Sequence, residues 1–72
     1  MQMTTEEKIE IIERTLNTPP NTLREDTLLS SLPVWDSFAI LSLQIELTAI
    51  KPDVQFDDIY MCAMVGDICN LI

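Results

Sequence analysis

The sequence predicts a small all-α protein, a four-helix bundle folded as a single domain over residues 1–72, and three observations point there. A chain of 72 residues suffices for one domain at most, and a domain this small buries only about 60% of the surface its unfolded chain exposes. Hydrophobic residues make up 47% of it and are interleaved with charge throughout, which is the composition of a folding chain and not a disordered one. Apolar residues also recur at helical spacing inside segments bounded by capping residues and prolines.

The first helix is predicted from about Thr4 to Leu16. Thr4-Thr5-Glu6-Glu7 matches the capping box, with Thr4 able to cap the backbone and Glu7 reaching back to it, and Ile9, Ile12 and Leu16 follow at helical spacing. Asn17-Thr18-Pro19-Pro20-Asn21 should end it, because prolines restrict themselves and their predecessors. From Thr22 to Trp35 no period is sustained, yet Leu23, Leu28, Leu29 and Leu32 recur among polar residues. That reads as a long loop pinned to the core by leucine anchors, and a connection of such length is functional or packed on its own side chains.

Asp36 then stands at a cap position ahead of a second helix, Ser37 to Ile50, which Lys51-Pro52 ends. Ile40, Leu43, Leu47 and Ile50 form one apolar stripe, and Phe38, Leu41 and Ile45 are expected to form another beside it, more apolar surface than one core face requires. Val54 and Phe56 lead to Asp57, expected to cap a brief third helix through about Cys62. The fourth helix is predicted from Val65 to Ile72, with Val65, Ile68, Leu71 and Ile72 on one side. The expected architecture is thus three longer helices, one short helix and a long first loop.

Charge narrows the partners. Twelve acidic residues against four basic ones give a net charge of -8, a field that repels phosphate backbones and anionic membranes and speeds encounter with basic protein surfaces. We therefore expect protein partners, with no nucleic acid and no membrane. Met1-Gln-Met-Thr-Thr leads directly into charged residues, and no apolar run approaches the ~20 residues of a membrane helix. A cytoplasmic monomer is the expectation. Cys62 and Cys69 could pair, but without secretory features they read as reduced small hydrophobes. Separated by Gly66 and without another soft ligand, they predict no zinc site, and Asp53, Asp57 and Asp58 do not match EF-hand spacing.

The segment most informative about function is Leu32-Pro33-Val34-Trp35-Asp36-Ser37-Phe38. It puts a serine in the first turn of a helix, where unpaired amides and the helix dipole favour an anion. A phosphate ester on Ser37 would sit where anions are stabilised. Trp35-Asp36-Ser37-Phe38 resembles the Asp-Ser-Leu attachment motif of the acyl carrier and peptidyl carrier protein family, in its stand-alone Trp-Asp-Ser form. The loop Asp26-Thr27-Leu28-Leu29-Ser30-Ser31-Leu32 and the block Val65-Gly66-Asp67-Ile68 are similar to that family's first loop and last helix, and the resemblance covers nearly the whole chain.

The resemblance implies a four-helix bundle of acyl carrier protein type. In it Ser37 receives 4'-phosphopantetheine from coenzyme A, through a phosphopantetheinyl transferase. The arm carries acyl, aminoacyl or peptidyl intermediates as thioesters for fatty-acid, polyketide or nonribosomal-peptide type biosynthesis. A cargo-loading ligase or acyltransferase and a downstream synthase or transferase complete the implied partners. Asp36 is assigned to the helix cap and to partner or metal contact in the transferase complex, and Trp35, Phe38, Leu41 and Ile45 to partner binding. For Trp35 a loop aromatic covering the core is the other reading, and Phe38, Leu41 and Ile45 fit ordinary core as well as a docking surface.

Four departures from the family pattern stand out. Val34 follows Pro33 where glycine is common, Phe38 replaces leucine, Met64 replaces a capping Ser or Thr, and Glu46 is the only carboxylate of the second helix after Asp36. Charge for partner recognition must then come from elsewhere in the chain. With no histidine and no local base to activate Ser37 as a nucleophile, the expectation is a carrier and not an enzyme. The alternative is an unmodified acidic helical adaptor that binds a basic protein partner through the second helix. A small hydrolase would need a base and an oxyanion site that the residues do not supply.

Overall fold

A computed structural model describes residues 3–72, and it is all-α. Four helices, α1 (Thr5–Thr15), α2 (Ser37–Thr48), α3 (Phe56–Tyr60) and α4 (Val65–Cys69), are joined by loops that include a 3-10 turn at Leu29–Ser31. No strand forms among the described residues, the nearest approach being an isolated antiparallel bridge between Leu28 and Met64. Nor is any helix among them long and apolar enough to cross a membrane. α2 packs on α1 and α3, and α4 closes on α1.

The capping box of α1 forms as its sequence predicts: Glu7 N donates to Thr4 Oγ1 at 3.2 Å and Thr4 N to Glu7 Oε1 at 2.9 Å. Hydrogen bonding to its carboxyl from Thr4, the backbone amide first and the side chain second, holds Glu7 below the usual range. The stop falls at Leu16 and Asn17 as expected, but its cause is not proline. Asn17 adopts a left-handed φ of 57°, and Thr18 N donates to Glu13 O at 2.9 Å while Asn17 N donates to Arg14 O at 3.3 Å. Those crossed bonds are a Schellman motif, so the backbone has turned out of the helix before Pro19 is reached.

The core gathers Ile12 and Leu16 from α1, Leu23 and Leu29 from the long loop, Ala39, Ile40, Leu43 and Leu47 from α2, and Val54, Ile59, Val65 and Ile68 beyond. Of the leucine anchors, Leu23 and Leu29 are buried and Leu32 is half-buried, but Leu28 is 53% exposed. Leu28 lies in the bridge instead: Leu29 N donates to Ala63 O at 2.9 Å, Val65 N to Thr27 O at 3.0 Å and Gly66 N to Glu25 O at 2.8 Å. The loop is therefore held to the start of α4 by backbone bonds as well as by leucine burial.

Three boundaries correct the expected architecture of three longer helices and one short one: the structure has two longer and two short helices. α4 ends at Cys69 and not at Ile72, because Leu71 N and Ile72 N donate to carbonyls three residues back, a tightening that ends an α-helix. Lys8 Nζ caps that end by donating to Cys69 O at 3.2 Å. α2 ends at Thr48, where Ile50 N bonds three residues back to Leu47 O, and Ile50 leaves the buried stripe. α3 is capped at Gln55, whose amide donates to Asp58 Oδ2 at 2.9 Å, so Asp57 lies inside the helix and not at its cap.

Candidate functional site

Ser37 is the first residue of α2 and is exposed. The local sequence explains its position. Asp36 has extended backbone, φ -145° and ψ -175°, and its Oδ1 accepts from Ala39 N at 2.9 Å while its carbonyl accepts from Ile40 N at 3.0 Å. One side chain thus satisfies one of the four orphan amides of the helix start. The amides of Ser37 and Phe38 donate to no protein acceptor among the described residues. An exposed hydroxyl therefore stands beside free N–H groups at the positive end of a twelve-residue helix.

The approach to Ser37 is held from below. Leu32 and Trp35 are half-buried and pack against the core, and Trp35 N donates to Leu32 O at 3.1 Å, which folds the intervening Pro33 and Val34 outward. Trp35 thus covers the core, and only part of its surface is open to a partner.

Phe38, Leu41 and Ile45 are 78%, 47% and 64% exposed, so they belong to the surface and not to the core. They do not adjoin the buried stripe either. At 100° per residue they cluster about half a turn from Ile40, Leu43 and Leu47, leaving α2 with one apolar face inward and another in water. Glu46 is its one charged residue, so this outer face is nearly neutral on a chain of net charge -8.

The remaining chemistry-bearing residues lie on other segments than Ser37, after α3 and in α4. Cys62 and Cys69 are both free thiols. Burial, then the charges of Asp67 and Asp58, pushes the Cys62 thiol up to about 11, and burial also raises Cys69. Asp67 Oδ2 accepts from Ala63 N at 3.0 Å and Met64 N at 3.1 Å, so the carboxylate at the third position of α4 reaches back to the amides at the helix start. Among the described residues no group of three His, Cys, Asp or Glu side chains could hold a metal ion.

One buried carboxylate was not legible as a site residue. Glu13 is 5% exposed, and its Oε2 accepts from Thr22 N at 2.8 Å and Leu23 N at 3.0 Å. The available signal was its register, since Ile9, Ile12, Glu13 and Leu16 occupy positions i, i+3, i+4 and i+7 of one helix face. Compared with protein-family models, curated proteins and solved structures, the chain matches none.

Proposed function

We propose that the protein is a carrier of the acyl and peptidyl carrier type, which takes a phosphopantetheine arm on Ser37 and holds acyl, aminoacyl or peptidyl intermediates as thioesters. The observation that carries this reading is Ser37 itself, an exposed hydroxyl at the head of α2 behind the capping Asp36, with free amides at Ser37 and Phe38. A phosphodiester formed on that oxygen would be stabilised by those amides and by the helix dipole. The arm, once attached, supplies a terminal thiol that bears the cargo.

The chain's own residues then present the arm and meet the partners. Asp36 fixes the helix start that directs Ser37 outward. Phe38 adjoins the attachment point, and Leu41 and Ile45 continue the same exposed face, which suits brief docking of the transferase, the cargo-loading ligase or acyltransferase, and the downstream synthase. The four-helix architecture with its long first loop is consistent with the carrier type, although α3 and α4 are both short.

The test is to incubate the protein and a Ser37→Ala variant with coenzyme A and a broad-specificity phosphopantetheinyl transferase, then to weigh both intact. The parent should gain one phosphopantetheine and the variant none. No gain with several transferases would leave the exposed face of α2 as the binding surface of an unmodified adaptor. Asp36→Ala should slow the modification, and a variant that both folds and is modified like the parent would remove Asp36 from the site.

A further inference from the structure

The bridge between the long loop and α4 turns its two residues outward. Leu29 N donates to Ala63 O and Val65 N to Thr27 O, so Leu28 and Met64 are the closely spaced kind of pair that exchanges no bond of its own, with side chains together on one side. Their neighbours Leu29 and Val65 enter the core, and by strand alternation Leu28 and Met64 face water. Met61, at the end of α3, is 79% exposed and stands three residues before Met64, a separation of at most about 11 Å. Leu28, Met61 and Met64 thus make a second exposed apolar surface, built on other segments than the outer face of α2.

Carboxylates border this surface. Asp67 Oδ2 accepts from Met64 N at 3.1 Å, and Asp57 stands one helical turn before Met61, whose amide donates to Asp57 O at 3.0 Å. Cys62 lies between the two methionines, and its thiol is raised by burial and then by the charges of Asp67 and Asp58, which puts both carboxylates close to it. Opposing cations are scarce. Beyond Lys51 the sequence holds four aspartates and no lysine or arginine, and on the loop side Glu25 and Asp26 outnumber Arg24. The outer face of α2, a helix whose one charged residue is Glu46, has no such border.

We propose that this surface docks a basic amphipathic helix of a partner protein, its apolar stripe on Leu28, Met61 and Met64 and its flanking Lys or Arg heads at the aspartates. Charge complementarity selects the occupant: a second copy would bring the same carboxylates against its own, and an anionic membrane would be repelled by them. Strand addition is blocked. Ser31 N donates to Leu28 O, Met64 N to Asp67 Oδ2 and Asp67 N to Met64 O, which takes three of the four outward backbone groups of the bridge. Recognition is left to side chains, and the flexible, polarisable thioether of methionine adapts to an apolar stripe. The three positions reach across at most about 15 Å, the rise of about ten helical residues. Ser37 takes no part in this surface, which therefore does not rest on the carrier reading.

A fluorescein-labelled peptide of Leu and Lys, patterned as an amphipathic helix and followed by anisotropy at about 0.15 M salt to limit long-range attraction, tests it. Leu28→Thr with Met61→Gln should weaken binding about fivefold or more, and Phe38→Ala with Ile45→Ala, on the outer face of α2, less than about twofold. Replacing every Lys of the peptide by Glu should weaken it about tenfold or more. In protein carrying an isotope label at the methionine methyls, the Met61 and Met64 signals should shift on titration. No binding, equal weakening by the two pairs, equal binding of the Glu peptide or unmoved Met61 and Met64 signals would each overturn the proposal. So would signals that move with protein concentration alone, which would make a second copy the occupant. Ser37→Ala should bind like the parent, so failure of the carrier reading leaves this result intact and failure here leaves the modification of Ser37 untouched.

Discussion

The amide of Gly66 donates to the carbonyl of Glu25 at 2.8 Å, and a Cβ built on Gly66 would stand 3.0 Å from that same oxygen. The glycine in the first turn of α4 is thus explained by the close passage of the long loop. Gly66→Ala would gain helix propensity of about 1 kcal/mol, but it must push back a carbonyl held by this bond and restrained by its neighbours Val65 N to Thr27 O and Leu29 N to Ala63 O. We expect a net loss of about 1 kcal/mol, read as a fall in melting temperature of roughly 4–8 °C. Amide exchange should quicken first at Val65, Gly66 and Leu29. A variant as stable as the parent would show that the loop yields freely.

Glu13 invites a paired substitution. Glu13→Ala strands the Thr22 and Leu23 amides, and a loss of about 2–3 kcal/mol is expected from the roughly 4–11 kcal/mol available to a domain of this size. Glu13→Gln keeps a carbonyl oxygen for the same donors and should lose about 1 kcal/mol. Urea denaturation measures both. Equal effects from the two variants would mean that packing, and not the acceptor, matters there.

The two faces of α2 should respond in opposite ways. Phe38→Ala removes a side chain that is 78% exposed and should change stability by less than about 0.5 kcal/mol, with helicity kept and partner transfer impaired. Leu47→Ala empties a fully buried position and should cost about 2–5 kcal/mol. Thermal unfolding followed by circular dichroism separates them, and comparable losses would place Phe38 in the core.

Cys62 gives a prediction in pH. Its thiol is raised from 9.0 to about 11 by burial and by Asp67 and Asp58, so the folded protein keeps a proton that the unfolded chain releases earlier. Iodoacetamide labelling of Cys62, measured in a Cys69→Ala background, should still be rising steeply up to about pH 11, whereas a thiol of ordinary pKa 9.0 levels off about one pH unit above that value. The sign for stability follows: the contribution of Cys62 is complete below pH 9.0 and is lost as pH rises through about 11. A labelling midpoint at pH 9.0, the ordinary value, would refute the raised one.

Local signals carried much of the fold. Thr4 with Glu7, and Asp36, cap helices in the structure because capping depends on residues three apart, a relation the sequence displays directly. What failed was decided by distant parts of the chain or by geometry that residue type alone does not state. Asn17 stops α1 through a left-handed turn before the prolines, and Lys8 meets the end of α4 from 61 residues away. α2 was hard to orient because apolar residues surround it, so periodicity could not say which side faced water; only packing against α1 and α3 put Ile40, Leu43 and Leu47 inward and Phe38, Leu41 and Ile45 outward. Glu13 was obscured for the opposite reason, a charged residue at a core position whose partners are backbone amides that no motif announces.

The bond from Lys8 to the carbonyl of Cys69 also bears on how the chain is made. During synthesis α1 emerges from the ribosome first, yet the helix that closes on it is assembled only at residues 65–69. Until then the apolar side of α1, with Ile12 at its centre, has only the loop and α2 to cover it. Full cooperative closure therefore waits for nearly the last residue of the domain to clear the exit tunnel, and a nascent chain stalled before α4 would expose the sticky surface that chaperones recognise.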